Sequence, residues 1–230
     1  MNSDKDIVIT SAFRTAIGSF QGSLKDHKAT ELGTAVVKKC MEHSNLNGSE
    51  VDTVILGQVL QTGCGQNPAR QVAINSGIDK DKTATTINQV CGSGLAAVTL
   101  GFNSLKLNDT NIVIAGGQES MTNSPHYLNY RMEKNLSEEK LKDSMLIDGL
   151  IDAYDDYHMG VTAENVAEKY QISREDQDKM ALSSQQKAAN SISSGRLAKE
   201  ITSVKIPQKK GEPIIFDNDE QPRGTSLEKL

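Results

Sequence analysis

Apolar residues recur along this chain in two rhythms. Ile7-Val8-Ile9-Thr10, Val54-Ile55-Leu56, Thr85-Thr86-Ile87 and Ile112-Val113-Ile114-Ala115 are short runs of apolar or β-branched residues, the pattern of strands covered on both faces. Between them lie longer stretches at helical spacing. The first, from about Thr30 to Met41, sets Leu32, Val36 and Val37 on one side, and the second opens on Asn67-Pro68-Ala69, an N-cap followed by proline at the first helical position. The third, from Gly92 to Leu107, places Leu95, Val98, Phe102 and Leu105 on one stripe. Ala96, Ala97 and Gly101 leave little bulk elsewhere on it, so another backbone can approach closely. Strands alternating with helices in this way predict an α/β layered fold around a largely parallel or mixed sheet.

Beyond Gly116-Gly117-Gln118-Glu119-Ser120 the pattern turns polar, and Arg131 to Lys142, with charges of both signs, reads as part of an inserted loop region. Thr162 and Ser173, the latter with Asp176 three residues on, are predicted to cap two further helices, the second stopping near Gly195. Ile201 to Ile206 predicts a last strand. The chain is therefore expected to divide into an α/β core over residues 1–120 and, over 121–230, a loop region with helices and a return strand. Ser226 to Leu230 read as the beginning of another element, so the domain is expected to be incomplete.

Composition narrows the class. The 230 residues are 37% hydrophobic and 24% charged, ordinary for a globular protein. No apolar run approaches the roughly 18 residues of a membrane helix, and no stretch of signal-peptide length opens the chain. Three irregularly spaced cysteines, Cys40, Cys64 and Cys91, fit free thiols in a reducing compartment, which predicts a cytoplasmic protein. A net charge of −5 and a pI near 5.4 argue against a nucleic-acid surface, because phosphate binding depends on clustered Lys and Arg. Small-molecule chemistry is the better expectation.

The sharpest local feature is Thr85-Thr86-Ile87-Asn88-Gln89-Val90-Cys91-Gly92-Ser93-Gly94-Leu95: a strand, a tight connection and a glycine-flanked cysteine where a helix begins. A thiol at a helix N-terminus faces the positive end of the macrodipole, which favours the thiolate. Amide N–H groups nearby can also stabilise an oxyanion, and Gly92 and Gly94 keep side chains away from the sulfur. This is nucleophile-elbow chemistry with sulfur in place of oxygen. The alternative is a small buried cysteine packed where strand meets helix. Gly92-Ser93-Gly94-Leu95-Ala96-Ala97 also fits the dinucleotide pattern G-x-G-x-x-A, yet the next strand ends in Ala115-Gly116-Gly117, where an acidic ribose ligand should stand. Cys64 reads as a loop thiol and Cys40 as a core or half-buried residue. None of the four histidines pairs with another His or Cys at metal-ligand spacing. Glu119 is expected to orient a neighbour or cap a turn.

Five ordered blocks together resemble the thiolase family, in particular its acetoacetyl-CoA type. Arg14-Thr15, Gly18, Phe20 and Gly22 are similar to R-T-x-x-G-x-F-x-G, Gly63 to Gln71 to G-x-G-Q-N-P-A-R-Q, and Asn88 to Gly94 to N-x-x-C-x-S-G around the family's acylated cysteine. Gly116 to Met121 and His158 to Asn165 resemble two more blocks. The resemblance implies a thiolase-like layered α/β fold. It also implies that Cys91 takes an acetyl group from acetyl-CoA, after which a second acetyl-CoA attacks to give acetoacetyl-CoA, with thiolysis as the reverse. It places His158 and Met159 along the pantetheine and acyl pocket, Leu150 as a further pocket residue, and Arg223 at the adenine end of CoA. The implied substrate is a CoA thioester with no separate cofactor and no metal. The implied partners are acetyl-CoA and CoA, with neither nucleic acid nor membrane, and the full-length family is expected to form dimers or tetramers.

A Claisen condensation also needs groups to deprotonate the nucleophile and the α-carbon. In the family these lie in N-E-A-F, G-H-P and C-x-G-G-G blocks of the C-terminal half, and none of them occurs here. The resemblance therefore covers the N-terminal half and most of its loop region, and implies a chain inactive by itself. The alternative expectation is a non-catalytic CoA-binding or assembly module joined by a separate C-terminal chain. A β-ketoacyl synthase relative, with A-C-S-x-S around its cysteine, does not fit Asn88 to Gly94.

Overall fold

A computed structural model describes residues 6–132 and 137–230. Its centre is a three-stranded parallel sheet of β2 (Thr53–Gly57), β3 (Thr83–Ile87) and β4 (Val113–Gly117) in the order β3-β2-β4. The crossover helices α1 (Ala29–His43), α2 (Pro68–Asn75) and α3 (Ser93–Lys106) fill the gaps anticipated from the spacing. Short β1 (Arg14–Thr15) lies before them.

Side-chain alternation along β2 builds the layers. Val54 and Leu56 join Val37 and Met41 of α1, and Ala69, Val72 and Ala73 of α2, in the main core. Burying side chains such as Val37 and Met41 contributes about 1.5–3 kcal/mol each. On the other face α3 lies over β4, where a Cβ on Gly101 would come within 3.0 Å of Val113 Cγ1. The small residues make this close seat: Ser93, Ala97 and Gly101 are buried, whereas Leu95, Val98 and Phe102 of the bulky stripe are exposed. The α2 start is as expected, with Asn67 at φ 40° accepting from the Arg70 N–H.

Three sequence expectations are corrected. Ile7 to Thr10 is not a strand: Val8 and Ile9 are exposed, and among the described residues no strand lies beside them to supply ladder hydrogen bonds. Ile201 to Ile206 is two strands broken at Ser203: β7 (Ile201–Thr202) runs parallel to β1, and β8 (Val204–Ile206) pairs with β9 (Ile214–Phe216). The helix assigned to a Thr162 cap, α4 (Met159–Tyr170), begins four residues earlier with His158 as its N-cap, because the imidazole Nδ1 accepts the Gly160 N–H at 3.0 Å. Ser173 does cap α5 (Arg174–Ser193), and Gly195 follows its end at φ 70°. Between β4 and α4 the loop region holds a small ladder, β5 (His126–Tyr127) with β6 (Lys142–Asp143), and a π-helical turn, Leu146–Leu150. Part of the mixed-charge stretch, 133–136, lies outside the described residues.

Candidate active site

Cys91 stands exposed in the turn between β3 and α3. Three bonds knot the turn. Asn88 Oδ1 accepts the Val90 N–H at 2.8 Å, Ser93 Oγ accepts the Gln89 N–H at 2.8 Å, and the same hydroxyl donates to the Val90 carbonyl at 2.6 Å. Val90 is left at φ 49°, a left-handed conformation that a β-branched side chain rarely adopts. The Gly92 and Ser93 N–H groups bond to the Gln89 and Val90 carbonyls, so they are occupied within the turn, and the Cys91 N–H lies outside both bonds.

Beneath the turn the sheet ends in register-paired glycines, Gly57 and Gly117. A Cβ on Gly57 would fall 2.6 Å from the Ser93 carbonyl carbon and Cβ, and one on Gly117 would fall 3.4 Å from Gly94 Cα. The backbone of the helix start thus rests directly on the strand ends. Ser93 and Gly57 are site residues that sequence reading did not single out, although the serine two places after the cysteine and the glycine closing a strand were the available signals.

Leu150, His158 and Met159 are brought together. Leu150, half-buried, ends the π-helical turn; the next residue, Ile151, forms an antiparallel bridge with His158, and the Asp152 N–H donates to the Tyr157 carbonyl at 2.8 Å. Asp152 Oδ1 closes the connection by accepting from Tyr154 and Asp155 N–H groups, which lower its pKa. With Nδ1 of His158 accepting from Gly160, the neutral ring carries its proton on Nε2. Arg223 stands elsewhere: its N–H donates to Gln185 Oε1 at 2.9 Å beside a groove of about 340 Å³ lined by Leu182, Ala189 and Ile192 of α5. Among the described residues, no hydrogen bond ties Cys91 or Arg223 to the His158 connection.

Glu119 caps a turn, one of its two anticipated roles. Its carboxylate accepts the Val59 N–H at 2.8 Å and the Leu60 N–H at 3.2 Å, while burial pushes its pKa above the ordinary carboxylate value against those two donors. Cys64 and Cys40 are half-buried; the Cys64 sulfur accepts from Gln58 Nε2 at 3.3 Å. Among the described residues no group of three or more His, Cys, Asp or Glu side chains is placed to hold a metal ion, and no helix is long and apolar enough to cross a membrane.

The family model for the thiolase N-terminal domain matches residues 7–230. The chain belongs to the thiolase family. It is 52% identical over 228 residues to an acetyl-CoA acetyltransferase of Pseudomonas aeruginosa, covering 98% of this chain and 58% of that protein. It is 51% identical over 220 residues to a probable acetyl-CoA acetyltransferase of Escherichia coli K12, covering 95% and 56%. The crystal structure of the Bacillus anthracis acetyl-CoA acetyltransferase superposes with a TM-score of 0.91 at 35% identity, over 96% of this chain and 56% of that one. The thiolase fold is thus shown, and the chain spans less than two thirds of the length of these relatives.

Several thiolase-like blocks prove to be architectural. Arg14 pairs with Glu200 through Nε at 2.8 Å and with both Asp219 oxygens at 2.7 and 2.9 Å. At Gly22 a Cβ would meet Glu220 Oε2 at 2.4 Å, where that carboxylate accepts the Ser19 N–H at 2.6 Å. Arg70 donates to the Lys82 and Lys80 carbonyls in the connection from α2 to β3, and Gln71 to those of Cys64 and Gln66 in the loop before α2. These residues fasten backbone segments to one another.

Proposed function

We propose that this chain carries the acyl-accepting part of an acetyl-CoA C-acetyltransferase. The observation that carries the reading is an exposed Cys91 on a strained, hydrogen-bonded turn at the start of α3. The sulfur of Cys91 attacks the acetyl carbonyl of acetyl-CoA; an S–C bond forms, the carbonyl becomes an oxyanion facing the Cys91 N–H, and the original thioester bond breaks. The acetyl group remains on Cys91, and the thiol proton finishes on the departing CoA. In a full-length thiolase the α-carbanion of a second acetyl-CoA then displaces Cys91 from the thioester, giving acetoacetyl-CoA. Neither step changes an oxidation state, and acyl transfer goes from sulfur to sulfur and then to carbon, so the chemistry calls for no further cofactor. On this reading Leu150, His158 and Met159 wall the acyl and pantetheine end, with the His158 Nε2–H as a donor, and Arg223 meets the adenosine end.

The same reading makes the protein a cytoplasmic enzyme of acyl-thioester metabolism, with a homo-oligomeric holoenzyme. It is tested by intact mass after incubation with acetyl-CoA, beside Cys91→Ser. A single acetyl adduct that the variant loses is expected; a folded wild-type chain without an adduct overturns acylation within this stretch.

A second reading, an assembly module completed by a separate C-terminal chain, is favoured by the lack, among the described residues, of a strand beside Ile7 to Thr10 and by the exposed apolar stripe of α3. Co-expression with the remaining portion of a relative separates the two: acylation that appears only in the complex supports the module.

A further inference from the structure

Glu119 and Gln58 hold one residue at both of its backbone polar groups. Glu119 takes the Leu60 N–H, and Gln58, 1% exposed, donates from Nε2 to the Leu60 carbonyl at 2.8 Å while its Oε1 accepts from Gln118 Nε2 at 2.8 Å. The gripped residue has a consequence on its far side. Leu60 is 6% exposed, and its Cδ2 lies 3.3 Å from where a Cβ on Gly149 would stand. Gly149 precedes Leu150, and Ile151 bridges to His158. Thr62 Oγ1 and Asp148 Oδ2, 3.3 Å apart, fasten the same two segments. A continuous path of contacts therefore leads from a half-buried carboxylate, through Leu60, to the connection bearing Leu150, His158 and Met159.

We propose that Glu119 is a positioning residue that, through Leu60, sets the place of segment 146–160 and thereby the acyl-chain length the site accepts. The length claim rests on the reading of Cys91 as acyl acceptor and of Leu150 to Met159 as its wall. Glu119→Gln replaces one of the two carboxylate acceptors with an amide NH₂, which faces a backbone N–H and cannot accept from it. Leu60→Ala leaves Glu119 in place and removes the contact with Gly149.

The test combines hydrogen exchange read by mass spectrometry with Cys91 labelling by acetyl-CoA and butyryl-CoA, on wild type, Glu119→Gln and Leu60→Ala. Both variants are expected to speed exchange across 146–160 and to shrink the preference for the acetyl over the butyryl donor by about tenfold, the scale that a methylene's fit in an apolar pocket commands. Faster exchange confined to 59–62, or an unchanged donor preference on a labelled enzyme, overturns the proposal. A wild-type Cys91 that takes neither group refutes the acyl-acceptor reading instead, and exchange across 146–160 alone then decides whether Glu119 positions the segment.

Discussion

Val90 holds the most costly backbone conformation of the Cys91 turn. A non-glycine residue in a sparsely populated region costs about 1–3 kcal/mol, and here the side chain is 51% exposed, so packing offsets little of it. Val90→Gly removes that strain but adds about 0.5–1 kcal/mol of chain entropy to the unfolded state. The expected net is a stabilisation of about 1 kcal/mol in denaturant unfolding, accompanied by slower acetylation of Cys91 as the turn loses its single conformation. A stabilised variant that acetylates at the wild-type rate would show that the strain has no part in aiming the sulfur. Glu119 contributes with the opposite sign from a paired surface carboxylate. Its folded pKa is raised by burial, so protonation favours the folded state: the contribution is present below the unfolded value and lost as pH rises through the folded one. Glu119→Gln is therefore expected to flatten the unfolding free energy just above the ordinary carboxylate range, and unfolding titrations across that range check it.

At the scale of elements, α3 and the sheet meet through the absence of side chains. Gly57→Ala would put a methyl group 2.6 Å from the Ser93 backbone, so helix or strand must move. Overpacking of this kind costs about 1–3 kcal/mol; a loss in that range, with Cys91 acetylation falling together with it, is expected from denaturant unfolding and intact mass. The same interface explains what the sequence could disclose. The strand and helix order was legible because β2, β3, β4 and α1 to α3 each carry their own period, and Asn67-Pro68 and Ser173 announce their helices by local chemistry alone. What was not legible depended on neighbours: Ile7 to Thr10 has a strand's composition without a strand beside it, the bulky stripe of α3 is exposed while its small residues are buried, and a histidine occupies a capping position usually held by Ser, Thr, Asp or Asn. At the site, the Cys91 turn could be read from glycines and a helix start, whereas the grip of Glu119 on residues 59 and 60 joins positions sixty apart and has no local signature.

Across the whole molecule, the N-terminal loop and the last described strands are held by charge. Arg14 makes a bidentate bond to Asp219, which lowers that carboxyl's pKa chiefly through the side-chain hydrogen bond, and Glu220 is lowered likewise by Ser23 and the Ser19 N–H. Depressed carboxylates add stability above their unfolded values, near pH 4, and lose it as pH falls through the folded ones. Arg14→Ala should remove about 2–3 kcal/mol at neutral pH and make the acid limb of the stability curve shallower, as measured by unfolding from roughly pH 3 to 7. Leu95 at 76% and Phe102 at 46% exposure, with Val98 between them, form an apolar face along α3 that water disfavours at roughly 25 cal/mol per Å². With such a face exposed, the chain is expected to self-associate. Leu95→Lys with Phe102→Glu should shift sedimentation toward the monomer, since neither side chain belongs to the buried seat of Ser93, Ala97 and Gly101 on which the fold depends. Unchanged sedimentation of a folded double variant would mean that the association, if present, uses another surface.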